Sequence, residues 1–207
     1  FWELYMERSG AGETHYQDYD RRITEKSIGW LTRHGRGTGK PWVLYVSYIS
    51  PHPPFTVPKR LYDLYPEKDM PLPKGYKPGA RTEHPATQYL RHMDGMLDMT
   101  DEAALRRVAA GYFGLITHMD EQIGAVVKAA EDLGLLGHTR IAYTSDHGDN
   151  LGSRGMWGKS TLYEESVAVP LILAGGLGGT LKTGRTHDFL SAGNEKRKLC
   201  SLYLSLM

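Results

Sequence analysis

Four side chains stand out by type and neighbourhood as able to do chemistry: His52, Asp146, His147 and Lys159. Asp146 and His147 are adjacent, so a carboxylate and an imidazole can turn together onto one divalent cation. Gly148 removes the side chain that would crowd a metal or an anion there. The same stretch, Ser-Asp-His-Gly-Asp, also fits a plain turn with His147 on the surface. Lys159 follows twelve residues later between Gly158 and Ser160. An ammonium group near a metal suits a tetrahedral oxyanion, because it neutralises charge on the non-bridging oxygens; a solvated loop lysine is the plainer reading. His52 is enclosed by Pro51, Pro53 and Pro54. Such a loop holds an imidazole as an orienting donor or general acid, or simply bonds it to a nearby carbonyl. No catalytic role is assigned to His15, His34, His84, His92, His118, His138 or His187.

The elements that must carry these groups alternate between helix and strand. Residues 19–34 are expected to be helical, with Tyr19, Ile23, Trp30 and Leu31 inward and Asp20, Arg21, Arg22, Glu25 and Lys26 mostly off that face. Residues 42–49 read as a buried strand ending at the His52 loop. Nine of the eleven prolines fall in residues 51–85, which marks a long irregular excursion. Its Phe55, Tyr62, Tyr65 and Tyr76 are expected to pack the loop onto the sheet rather than face a ligand. A long helix is expected from Thr100, as cap, to Gly134, with Gly111 and Gly114 able to bend it. Residues 140–145 and 167–173 complete the strands, with Pro170 favouring an edge or a bulge in the last. The order predicts an α/β fold with a largely parallel sheet flanked by helices, in which functional groups gather beyond strand carboxyl ends. His52 and Asp146 both fall there.

Taken together, these residues resemble the sulfatase branch of the alkaline phosphatase superfamily. The resemblance rests on Ser-Pro-His52-Pro-Pro-Phe, on Tyr112-Phe-Gly-Leu-Ile-Thr-His-Met-Asp-Glu-Gln-Ile-Gly124, on Thr-Ser-Asp146-His147-Gly-Asp, on Gly-Lys159-Ser-Thr-Leu-Tyr-Glu-Glu-Ser and on Val-Pro-Leu-Ile-Leu173, in that order. Asp-His rather than Asp-Asn looks most like the choline-sulfatase and phosphonate-monoester-hydrolase subgroup. The resemblance implies an alkaline-phosphatase-like fold, Asp146 and His147 as ligands of a divalent metal (Ca, Mn or Mg), Lys159 on the sulfate or phosphonate, and His52 near the leaving oxygen. It implies a small-molecule sulfate ester as substrate, with a phosphonate monoester or phosphodiester as the alternative.

Two ligands fall short of the six to eight that a hard cation takes. The family's nucleophile is a formylglycine made from Cys-x-Pro-x-Arg, whereas Cys200 is followed by Ser-Leu-Tyr-Leu. In the family the nucleophile and an Asp-Asp ligand pair come from an N-terminal segment, so the resemblance implies that they lie upstream of Phe1. Residues 1–176 read as a partial catalytic domain and 177–207 as a divergent tail, truncated or out of frame. The chain alone is expected to be inactive, and a non-catalytic gene remnant is the alternative. Ala168 stands where the family often has Arg before Val-Pro.

Composition narrows the partners. With 25 Lys+Arg against 24 Asp+Glu in 207 residues, nothing favours nucleic acid or a membrane surface. No apolar run approaches the length of a membrane span. The single cysteine excludes an internal disulfide framework and a Cys-built zinc site. No signal segment is visible and a cytoplasmic location is expected; oligomeric state is unknown.

Overall fold

The computed structural model describes residues 2–37, 39–81, 84–93, 96 and 99–175. The expected divergent tail at 177–207, with Cys200, lies outside the described residues. In chain order the elements are α1 (Trp2–Arg8), β1 (Gly10–Ala11), α2 (His15–His34), β2 (Thr56–Val57), α3 (Lys59–Tyr62), α4 (Pro85–Met93), α5 (Glu102–Asp132), β3 (Arg140–Thr144), α6 (Glu164–Val167) and β4 (Leu171–Gly175).

Helix α2 begins four residues before the apolar pattern suggested, because Thr14 and Gln17 form a capping box. The Thr14 hydroxyl accepts from the Tyr16 N–H at 3.2 Å, and the Gln17 carboxamide oxygen accepts from the Thr14 N–H at 2.7 Å. Its buried face also differs from the expected one. Gln17, Asp20, Thr24, Ser27 and Leu31 point inward, and Tyr19 is exposed. The expectation that Asp20 lies off the packed face is therefore overturned: a polar stripe at helical spacing is hidden from a rule that scores only apolar residues.

Helix α5 runs unbroken for 31 residues, about 46 Å at 1.5 Å per residue. Asp101 rather than Thr100 caps it, accepting from the Ala103 N–H at 2.9 Å. Gly134, at φ +70°, follows the last turn as a left-handed C-terminal residue. Gly111 and Gly114 do not bend the helix. They let it approach the 55–57 segment: a Cβ on Gly111 would overlap the Phe55 carbonyl oxygen, and one on Gly114 would lie 2.7 Å from Val57 Cγ1. The main core lies along this contact and comprises Met6, Phe55, Val57, Leu61, Leu105, Val108, Leu115 and Trp157. Tyr62 and Tyr76 pack on the core that holds Phe55, and Tyr65 packs with Met70, Ala109 and Ala110, so the aromatics of this excursion do pack, but largely against α5 rather than onto the expected sheet.

The largely parallel sheet is not what the described residues display. β1 and β2 pair in parallel over two residues each, Gly10 with Thr56 and Ala11 with Val57. The longer ladder, β3 with β4, is antiparallel, from Arg140–Gly175 to Thr144–Leu171. Pro170 precedes β4 rather than interrupting it. Residues 42–49 keep the two-residue alternation of a strand but have no ladder partner among the described residues. Trp42 and Leu44 pack with Leu31, Ala130 and Leu135, while Val43 and Tyr45 are 93% and 87% exposed. This segment, β3 and the Met119–Ile123–Val126 side of α5 line an open cleft of about 1720 Å³.

His118 sits in α5 as a packed residue. It is buried, its Nε2 has no hydrogen-bond partner among the described residues, and the nearest carboxylate oxygen, on Asp20, is 4.0 Å away. Burial pushes its pKa down, with the Asp20 charge opposing. The folded protein thus holds His118 neutral, while the unfolded chain protonates it near pH 6.5. Below that pH the unfolded state binds more protons, so stability falls as pH drops from about 6.5 through the lower folded value, by up to about 1.4 kcal/mol per unit. Urea midpoints at pH 7.5 and 5.5 should show the drop, and His118→Gln should shrink it; an equal drop in both proteins would refute the assignment.

Candidate active site

The loop between β3 and α6 carries three of the four expected residues. At its start the Asp146 carboxylate accepts from the His147 N–H at 3.0 Å, and the Ser145 hydroxyl donates to the His147 carbonyl at 2.9 Å. The Gly148 N–H then donates to the Ser166 carbonyl at 2.7 Å. A Cβ on Gly148 would overlap the Glu165 carbonyl oxygen. Glycine is needed there to let two backbones meet rather than to make room for an anion.

Further along, Asp149 and Asn150 clamp the loop's ends together. Asp149 Oδ1 accepts from the Leu151 N–H at 2.8 Å and the Gly158 N–H at 3.2 Å. Buried Asn150 donates through Nδ2 to the Gly158 carbonyl at 2.6 Å, and its Oδ1 accepts from the Thr161 hydroxyl at 3.0 Å. The Ser166 hydroxyl donates to the Lys159 carbonyl at 2.7 Å. Between the clamps, Arg154 takes a left-handed φ of +57°. Its guanidinium pairs with Glu165 at 2.8 Å and lies over the Tyr163 ring at 4.1 Å.

These clamps bring Lys159 back to His147. Lys159 Nζ lies 2.8 Å from His147 Nε2, and His147 Nδ1 lies 2.7 Å from the Gly148 carbonyl oxygen. A carbonyl can only accept, so Nδ1 carries the proton and the Nε2 lone pair accepts from the ammonium. A metal ligated at Nε2 would need that same lone pair and would displace the ammonium from it. Asp146 Oδ2 is 3.4 Å from the same nitrogen. Burial opposes ionisation of Asp146, but the His147 imidazole, the backbone N–H groups and Lys159 outweigh it, holding the carboxyl below its usual range.

Asp149 differs. Burial pushes its pKa up against the two backbone N–H groups and the electrostatic pull of the His147 and His52 rings. Burial, then the Asp149 charge, lifts the neighbouring Tyr112 hydroxyl to about 12. Asp149 is a functional residue that motif and spacing do not single out. Its signal was position, a turn-forming carboxylate in a glycine-rich loop.

His52 stands apart. Its Nδ1 lies 2.8 Å from the Pro53 carbonyl oxygen, and its ring meets Tyr16 edge to face at 5.8 Å. The structure thus joins Asp146, His147 and Lys159 directly and leaves His52 on the adjoining loop. Among the described residues no group of three His, Cys, Asp or Glu side chains is placed to hold a metal ion.

A carboxylate, an imidazole and an ammonium gather beyond the carboxyl end of β3, and the fold that carries them is the alkaline-phosphatase-like one of sulfatases. The phosphonate monoester hydrolase from Silicibacter pomeroyi superposes with a TM-score of 0.58 at 28% identity, covering 74% of this chain and 32% of that one. The sulfatase family profile matches residues 2–188, and the chain belongs to that family. It is 34% identical over 152 residues to an arylsulfatase of Clostridium perfringens, covering 73% of this chain and 31% of the relative. It is 31% identical over 176 residues to a choline-sulfatase of Rhizobium meliloti, covering 81% and 34%. The chain spans about a third of the length of these relatives.

Proposed function

We propose that this chain supplies the metal- and oxyanion-binding side of a sulfatase active site that hydrolyses small-molecule sulfate esters. The carrying observation is the Lys159 ammonium at 2.8 Å from His147 Nε2, with Nδ1 tied to a carbonyl. Asp146 and His147 would hold a divalent metal (Ca, Mn or Mg) together with ligands from outside this chain. Such an ion, when bound, draws charge from the sulfuryl oxygens. Lys159 donates to the same oxygens, and the rigid clamp on its loop lowers the cost of holding the charge in place. His52, with Nδ1 bonded to Pro53, presents Nε2 and, when protonated, donates to the departing alkoxide. The nucleophile is a formylglycine that does not come from these 207 residues, since Cys200 lacks the Pro and Arg of the motif. The chain alone is accordingly catalytically silent.

Hydrolysis of a phosphonate monoester is the second reading, favoured by the likeness to a phosphonate monoester hydrolase. Turnover of an aryl sulfate against an aryl phosphonate by the complete protein separates the two. For the chain itself, phenylphosphonate serves as an inert probe. Titrated with Mg²⁺ present and followed by histidine-ring NMR, it should shift His147. Lys159→Ala should weaken that binding at least tenfold, or about 1.4 kcal/mol. Equal affinity with and without Lys159 would remove it from the oxyanion site.

A further inference from the structure

We propose that Asp20 is a positioning residue for His52, holding the end of the 42–50 segment from beneath so that the imidazole keeps its place against Tyr16. This rests on the reading of His52 given above. Asp20 is fully buried on the polar face of α2. Its Oδ1 accepts from the Ile49 N–H at 2.9 Å, and its Oδ2 accepts from the Ser50 N–H at 3.2 Å and the Ser50 hydroxyl at 2.6 Å. All three donors lie on the two residues that precede Pro51-His52. The His52 N–H then donates to the Ile49 carbonyl at 3.0 Å, closing the turn onto the residue Asp20 grips.

Helix α2 touches the loop a second time. Tyr16, one turn before Asp20, sets its ring against His52. The carboxylate under the backbone and the ring against the imidazole together fix where the loop leaves α2 and how His52 is turned.

A buried carboxylate carries a desolvation cost of several kcal/mol, so an ordinary packing position on a helix would hold Leu or Ala. What offsets the cost here is the set of donors. Residues 42–49 have no ladder partner among the described residues, and without Asp20 the buried Ser50 N–H and the half-buried Ile49 N–H would lose their acceptors. Asp20 replaces a neighbouring strand at the one point where the segment turns into the His52 loop.

The test uses the full 207-residue chain with 15N and 13C-histidine labels and compares wild type, Asp20→Asn, Ser50→Ala and the control Asp18→Asn. Asp18 is exposed on the same helix and paired with Arg21 at 2.6 Å. Amide exchange reports the grip on Ile49 and Ser50. The His52 ring resonance reports the imidazole, and the His147 ring serves as an internal reference. In Asp20→Asn the two amides should exchange at least tenfold faster. The free His52 resonance should move, and its shift at saturating phenylphosphonate should shrink by at least half while that of His147 is kept. Ser50→Ala should move His52 in the same direction by less, and it decides the matter if Asp20→Asn does not fold; Asp18→Asn should leave both rings unchanged. The proposal is overturned if the amides are released while His52 and its response stay as in wild type, or if folded Ser50→Ala leaves His52 in place. If phenylphosphonate shifts neither ring in wild type, the functional reading fails, and the free His52 resonance still tests the grip.

Discussion

Gly111→Ala should lower the unfolding free energy by about 3 kcal/mol or more, while Gly124→Ala, thirteen residues on in the same helix, should raise it by about 0.5–1 kcal/mol. Helix propensity acts alike at both sites and favours alanine by up to about 1 kcal/mol. Space decides the sign. At Gly124 an added Cβ meets nothing within 4 Å. At Gly111 it would overlap the Phe55 carbonyl oxygen, with the Phe55 carbonyl carbon at 3.1 Å and the Gly10 nitrogen at 3.4 Å. That oxygen already accepts the Gly10 N–H at 3.0 Å. Relief of the clash must therefore open the β1–β2 contact or push α5 off the core, and neither neighbour is a flexible side-chain tip. Urea midpoints at an unchanged slope measure both variants. A Gly111→Ala protein as stable as wild type would mean that the helix and the 55–57 segment are not seated as described. The consequence reaches the site, since that segment follows directly from the His52 loop.

The same contact separates what the sequence made legible from what it hid. Both helices, and the loops bearing His52 and Lys159, follow from local rules: caps, glycine stops and strand-end motifs. The adjacency of Asp146 and His147 is visible in the chain, and a cation site needs that adjacency. Their link to Lys159 depends on Asp149, Asn150 and Ser166 closing a loop across up to nine residues, and spacing cannot specify such closure. Asp20 was misplaced because apolar periodicity is blind to a buried polar face, here Gln17, Asp20, Thr24 and Ser27. The sheet was only partly legible for another reason. A run such as Trp-Val-Leu-Tyr-Val at 42–46 has the composition of a strand covered on both sides. Composition states what a segment suits, not which neighbours are present, and Val43 and Tyr45 are exposed with no partner strand among the described residues.

Trp157→Ala should cost about 3–5 kcal/mol, the range for emptying a buried large aromatic site. For a chain of this size that lowers the melting temperature by about 10 °C. Trp157 is 1% exposed and belongs to the same core as Phe55, Leu61 and Leu105. Few gaps of that size can collapse here. Gly152 lies against its ring, with a Cβ position only 3.2 Å from the indole, and is itself held at φ +84° by the turn. The substitution also bears on chemistry, because Trp157 anchors the loop two residues before Lys159. If that anchor sets the lysine's position, a Trp157→Ala protein kept well below its melting temperature should lose the contact between Lys159 Nζ and His147 Nε2. The His147 ring resonance should then move as it does in Lys159→Ala. Trp157→Phe, which retains most of the buried ring, should lose less stability and leave that resonance near its wild-type position. A large loss of stability with His147 unmoved would instead show that Asn150 and Ser166 suffice to hold Lys159, and that the tryptophan serves the core alone.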